Sequence, residues 1–140
     1  METIKVIIVD DHENVRHSLR ESLELDSQFT IVDSCANGAE AIISSGEKNP
    51  DVIIMDLNMQ PVNGFEATRK IVKLYPNIKI LAHSFHNDGS YPRNILKSGA
   101  KGYLVKGADI DELFEAIISI HSGHIYISKE LRDRAYFDKE

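Results

Sequence analysis

Tryptophan is absent from this chain, and cysteine occurs once, at Cys35. A lone thiol closes no internal disulfide, so the fold has to rest on a packed core, and the composition fits a reducing compartment. No apolar run reaches the length of about 20 residues that a membrane helix needs. Residues 1–11 have no basic start followed by an apolar signal core, so a cytoplasmic location without membrane attachment is the expectation. Basic residues are outnumbered by acidic ones, 16 to 22, for a net charge of -6. Direct nucleic-acid binding by this chain is therefore not expected, since it would require a basic patch. Repeats, low-complexity tracts and interdomain linkers are also missing. The prolines, Pro50, Pro61, Pro76 and Pro92, stand singly where the hydrophobic pattern breaks.

What is present suits one domain with a real core, since 42% of the 140 residues are hydrophobic. The organising stretch is Asp51 to Leu57. Val52, Ile53, Ile54 and Met55 form an unbroken apolar run, the mark of a strand buried on both faces of a parallel sheet, and Asp56 ends it. Ile4 to Val9 is a second apolar, β-branched run, broken only by Lys5, and it also ends in acids, Asp10 and Asp11. Val15, Leu19 and Leu23 then recur at a spacing that places them on one helix face. Phe29 to Cys35 reads as a strand, and Ala39, Ile42 and Ile43 line a short helix ending near Gly46. After Asp56, Pro61 and Gly64 punctuate a loop. Phe65, Thr68, Ile71 and Val72 give the inner face of a third helix, which Tyr75-Pro76-Asn77 ends.

Ile78 to Ala82 is a fourth strand. A polar loop, His86 to Ser90, precedes a short helix over 92–98, closed by Gly99, with Pro92 in its first turn. Gly102 to Val105 is a fifth strand, ending at Lys106. Asp109 caps a last long helix with Ile110, Leu113, Ile117 and Ile118 inside, and Gly123 stops it. His124 to Ser128 reads as extended, and Lys129 to Glu140 as a charged, solvated tail with the pattern of a frayed helix.

Strands alternating with helices predict an α/β fold, a flavodoxin-like (βα)5 doubly wound parallel sheet with strand order 2-1-3-4-5. That order sets the first and third strands side by side, so Asp10, Asp11 and Asp56 converge, and Ser84 and Lys106 face the same rim. Clustered carboxylates repel one another and need a cation. Mg2+ (or Mn2+) suits an oxygen-only, partly hydrated site shared with a phosphate oxygen. Lys106 adds a mobile positive charge and Ser84 a hydroxyl donor. These are parts for moving a phosphoryl group: the ion and Lys106 neutralise its oxygens, and Asp56 attacks in line to give an aspartyl phosphate. The bland alternative is an acidic sheet edge with a surface lysine. It leaves unexplained why all these groups stand at strand ends.

The motifs V-D-D at 9–11, M-D-L-N-M at 55–59, Gly64, Ser84 and G-A-K-G-Y-L-V-K at 99–106, with their spacing, resemble the receiver domain of bacterial two-component response regulators. The likeness covers about residues 4 to 122. The D-D-H at 10–12 and G-H-I-Y-I-S at 123–128 are similar to NarL/FixJ-type transcription regulators. The resemblance implies a receiver domain over 1–128, with 129–140 as a tail or the start of a linker to a DNA-binding output domain absent from this sequence. It implies that Asp56 accepts a phosphoryl group from the histidine of a sensor kinase or phosphotransfer protein. Asp11, Asp56 and the backbone carbonyl of Asn58 would hold magnesium, with Asp10 acting through water. Lys106 would pair with the acid and then with the phosphoryl group. Ser84 would follow that group while Tyr103 turns inward behind it. Such a chain is not an enzyme but a phosphoacceptor that assists its own phosphorylation and dephosphorylation. Control of transcription and homodimerisation on phosphorylation are further implications.

Some positions depart from the family pattern. Gln60 stands where a proline is usual, with Pro61 next, and Gly107 replaces a proline after Lys106, so a cis bond there is not expected. Phe85 is large where small residues are usual and should narrow access to Asp56, and Pro92 falls inside what is normally the fourth helix. The pairs His83/His86 and His121/His124 lack a third convergent ligand and read as satisfied or solvated. Among rivals, a haloacid-dehalogenase-like phosphatase wants an acid and a threonine where Asn58 and Gln60 stand. A receiver-like module that never takes phosphate would have lost the acid pair, the acceptor or the lysine. A flavin-binding protein needs a phosphate-cradling loop where Asp10-Asp11-His12-Glu13 is acidic.

Overall fold

All residues of the run after Asp51 are buried through Asp56, as a strand covered on both faces requires. A computed structural model describes residues 2–86 and 90–132. In chain order it contains β1 (Ile4–Val9), α1 (Glu13–Glu24), β2 (Phe29–Cys35), α2 (Gly38–Lys48), β3 (Val52–Asp56) and α3 (Gly64–Leu74). These are followed by β4 (Lys79–Ser84), α4 (Ser90–Lys97), β5 (Gly102–Val105), α5 (Ile110–His121), β6 (Tyr126–Ile127) and α6 (Lys129–Arg132). The strands form one sheet in the order β2-β1-β3-β4-β5-β6, with every pairing parallel.

Strand alternation splits the core in two. Ile7, Val9, Ile53, Met55, Ile80, Ala82 and Tyr103 face Ala41 of α2, Ala67 and Ile71 of α3, Ile95 of α4 and Leu131 of α6. Val6, Ile8, Val52, Ile54, Leu81 and Leu104 face Leu19 and Leu23 of α1 and the Leu113, Ala116, Ile117 and Ile120 stripe of α5. Burying each such side chain stabilises the fold by roughly 1.5–3 kcal/mol, so the two faces together fix the register. Asp109 caps α5 as expected, its side chain accepting from Glu112 N; Asn37 and Asn63 do the same for α2 and α3.

The elements differ from expectation in places. The sheet has a sixth strand, β6, because the segment after α5 returns along β5. The tail begins with the expected helix, Lys129–Arg132, but is not simply solvated, since Leu131 is fully buried; residues 133–140 lie outside the described residues. Helix α2 runs past Gly46 to Lys48, and its buried residues are Gly38, Ala41, Ser44 and Ser45, whereas Ile43 is exposed. Helix α4 starts at Ser90 and keeps Pro92 within its first turn; residues 87–89 of the polar loop lie outside the described residues. Among the described residues no helix is long and apolar enough to cross a membrane.

Candidate functional site

Strand pairing builds the site. Val9 of β1 lies opposite Met55 of β3, so the next residues, Asp10 and Asp56, emerge side by side. Val105 pairs with Ser84, which delivers Lys106 to the same end of the sheet. Lys106 Nζ lies 2.8 Å from Asp10 Oδ2 and 3.2 Å from Asp56 Oδ1, with all three side chains almost wholly buried. The Lys106 N–H donates to the Ser84 carbonyl at 2.7 Å, tying the two strand ends together. Asp11 is partly exposed at the mouth. Beside it a cavity of about 460 Å³ is lined by Asp11, Asn58, Met59, Gln60, Asn63 and Phe65, among others.

Two carboxylates share one ammonium, and their environments drive them apart. At Asp10, burial works against the charged form. The Lys106 bond and the His12 N–H at 2.9 Å outweigh it and hold the carboxyl below its ordinary range. At Asp56, burial and the neighbouring Asp10 charge together push the pKa up despite Lys106. Burial opposes the charge on Lys106 as well, but the Asp10 bond and the two acids raise its pKa. Asp56 Oδ1 also accepts weakly from Asn58 N at 3.4 Å, whereas buried Oδ2 has no partner among the described residues. A buried, unpartnered carboxylate oxygen costs several kcal/mol unless something positive meets it. The donor set and this orphan oxygen therefore fit a hard divalent cation of the magnesium type.

The structure brings together Asp10, Asp11, Asp56 and Lys106, with Ser84 buried at the end of β4 beside them. It adds two groups to which the sequence reading gave no role at the site. His12 Nδ1 lies 2.9 Å from Asp11 Oδ1 and 3.1 Å from Asp10 Oδ1, inside the one group of potential metal ligands found among the described residues. Arg16 Nη1 donates to the Asp10 carbonyl at 2.6 Å. The only signal for His12 was its place directly after the acid pair, and for Arg16 its position one turn further on.

Tyr103 is fully buried, and its hydroxyl donates to the His86 carbonyl at 2.6 Å. In this structure the ring therefore already lies in the interior, held by the His86 carbonyl. Phe85 is 72% exposed, with Lys106 Nζ 5.1 Å from its centroid, so the ring lies over the lysine rather than in the core. His83 is buried, and burial followed by the Lys106 charge pushes its pKa down to about 4, while His86 stacks on Tyr91 at 3.9 Å. Neither belongs to the metal-capable group, and His121 and His124 are exposed. The cis peptide among the described residues is Gln60–Pro61, not Lys106–Gly107.

Gly64 starts α3 so close to the end of β3 that a Cβ there would lie 2.2 Å from the Asp56 carbonyl and 2.7 Å from Leu57 Cα. Backbone cannot yield as a flexible side chain does. Gly64→Ala is expected to cost about 1–3 kcal/mol in urea unfolding through overpacking and to slow any reaction of Asp56. Unaltered stability would mean that α3 shifts freely at this point.

A family model described as the response regulator receiver domain matches residues 6–118. The transcriptional regulatory protein DegU of Brevibacillus brevis is 42% identical over 124 residues, covering 89% of this chain and 52% of that protein. The oxygen regulatory protein NreC of Staphylococcus carnosus is 37% identical over 129 residues, covering 91% of this chain and 59% of that protein. The crystal structure of a LuxR-family two-component response regulator from Aurantimonas sp. SI85-9A1 superposes with a TM-score of 0.92 at 30% identity, covering 99% of each chain. This chain thus spans little more than half the length of the curated relatives it matches.

Proposed function

The chain belongs to the response regulator receiver domain family of two-component signalling, and from that premise we propose that Asp56 is its phosphoacceptor. The observation that carries this reading is a buried Asp56 with one oxygen engaged by Lys106 and the other unpartnered. Burial and the neighbouring Asp10 charge push its pKa up, so the free site holds a carboxylate whose charge is only partly compensated. An Asp56 oxygen forms a bond to phosphorus in line with the donor atom, the histidine nitrogen of a sensor kinase or phosphotransfer protein. The bond from phosphorus to that atom breaks, and its electron pair leaves with the donor. Lys106 is placed to follow the charge from the carboxylate to the new phosphoryl oxygens. Ser84 can donate its hydroxyl proton to one of them, and the bond between Tyr103 and the His86 carbonyl then readjusts. A bound magnesium ion supplies further neutralisation of the phosphoryl charge. Asp11, Asp56 and the Asn58 carbonyl would hold it, with Asp10 acting through water.

This is a switch that assists its own phosphorylation and dephosphorylation rather than a turnover enzyme. The kinase partner, the cytoplasmic location, homodimerisation on phosphorylation and control of transcription through a DNA-binding domain outside this sequence are parts of the same proposal. They are supported by the family and by relatives described as transcriptional regulators.

The metal half of the reading is tested by titrating magnesium while following thermal unfolding. An ion that binds only the folded state should raise the midpoint, and go on raising it with the logarithm of its concentration once the site is full. Asp11→Ala should remove most of that gain. The same gain in the variant would place the ion elsewhere.

A further inference from the structure

The chain beyond α5 docks on β5 by specific bonds. Tyr126 N donates to the Lys101 carbonyl at 3.0 Å, and Ser128 N to the Tyr103 carbonyl at 2.9 Å. β6 has ended by then, yet the Val105 N–H still needs an acceptor at a covered strand edge. The Ser128 hydroxyl supplies it at 2.7 Å and is itself buried. Ser128 also begins α6, because its carbonyl accepts from Leu131 N at 2.9 Å and Arg132 N at 3.1 Å. Leu131 is fully buried in the same cluster as Tyr103 and Ile95. From the other side, Glu112 Oε2 of α5 accepts from Tyr126 OH and from Lys129 N, each at 2.8 Å. The Tyr126 hydroxyl, with its pKa raised by burial and by Glu112, stays a donor in this contact.

Tyr103 joins this docking to the Asp56 site. Its backbone carbonyl holds Ser128 N, while its hydroxyl donates to the His86 carbonyl, and His86 N donates to Ser84 Oγ at 3.1 Å. A continuous run of hydrogen bonds therefore leads from Ser84 through His86, Tyr103 and Ser128 into α6. We propose that β6 and α6 are the outward half of the switch, with the Ser128 hydroxyl as the latch that couples docking of Lys129–Arg132 to the state of Asp56. The inference rests on the phosphoacceptor reading and extends it beyond Ser84 and Tyr103. When Ser84 turns to donate to a phosphoryl oxygen, His86 N must follow it or lose its acceptor. The His86 carbonyl then moves against the Tyr103 hydroxyl, and β5 shifts against Ser128, whose N–H it accepts at the Tyr103 carbonyl and to whose hydroxyl it donates from Val105 N. Because coupling between two sites is reciprocal, freeing α6 must also alter how Asp56 takes a phosphoryl group.

Two measurements on the 140-residue chain test this. With magnesium and beryllofluoride, an anion that mimics the phosphoryl group, hydrogen exchange at residues 103–105 and 126–132 should change about fivefold or more. Ser128→Ala should shift beryllofluoride affinity by a comparable factor, and Glu112→Gln, which loosens the same segment from α5, in the same direction. Leu23→Ala in α1, which empties a fully buried place in the core on the other face of the sheet, should lower stability without that shift. If Ser128→Ala fails to fold, the Glu112→Gln affinity decides. Bound fluoride signals with unchanged exchange over 126–132 and unchanged affinity would overturn the latch and leave the phosphoacceptor reading intact. No beryllofluoride binding by the wild-type chain would overturn both.

Discussion

Asp56→Asn is expected to abolish phosphorylation and at the same time to make the protein more stable. The site holds two buried carboxylates on one lysine, and Asp56 Oδ2 has no partner. Asparagine keeps the shape and removes the charge that burial and Asp10 both oppose. Sites that trade stability for reactivity yield about 0.5–2 kcal/mol when neutralised, and a gain of that size is expected here in urea unfolding without divalent ions. The pH dependence separates this cause from others. The folded-state pKa of Asp56 is raised, so between its unfolded value and its folded value the native state binds the extra proton. Wild-type stability from this group therefore falls as pH rises through that window. The advantage of the Asn variant should be full above the raised folded value and vanish below the ordinary carboxylate pKa, where Asp56 is protonated in both states. A gain that persists unchanged at low pH would mean that something other than the charge is responsible.

Lys106→Met should have the opposite and larger effect. Lys106 Nζ is the cation within salt-bridge distance of both Asp10 and Asp56. Removing one partner of a buried pair leaves an uncompensated charge, which costs about 3–5 kcal/mol. In the wild type the depressed pKa of Asp10 contributes stability above its unfolded value, and that contribution is lost as pH falls through the folded value. The raised pKa of Lys106 contributes stability below its unfolded value that is lost as pH rises through the folded one. Without the lysine both carboxylates should bind protons more readily in the fold than in the unfolded chain. The variant should then recover stability on mild acidification, at pH values above those at which the wild type loses the Asp10 contribution. Magnesium should rescue part of the loss at neutral pH. A variant as stable as wild type at neutral pH, with no metal present, would mean that water rather than Lys106 compensates the acids.

The site was legible where local sequence and topology coincide. The apolar runs before Asp10 and Asp56 are buried on both faces, so their period and their ends could be read directly. Lys106 and Ser84 followed from strand ends, and Asp109 from its capping position. Less was legible where tertiary contact decides. β6 is two residues long, and only its neighbour β5 makes it a strand. Leu131 sits in a charged segment, and its burial depends on the gap beside Tyr103 and Ile95. Ile43 has the spacing of an inner residue but is exposed, because small residues, Ala41, Ser44 and Ser45, take the contact face of α2. Tyr103 was identified as a switch residue, but its position inside the core depends on the His86 carbonyl, which no spacing reveals. His12 carries no side-chain cap for α1 and turns to the acids instead.

The most direct test of the account is the intact mass of the chain after incubation with acetyl phosphate and magnesium, followed by trapping of the acyl phosphate and localisation of the label. The account predicts one added phosphoryl group, on Asp56, and none on Asp56→Asn under the same conditions. An equal mass gain in the Asn variant, or label at Asp10 or Asp11 in the wild type, would contradict it.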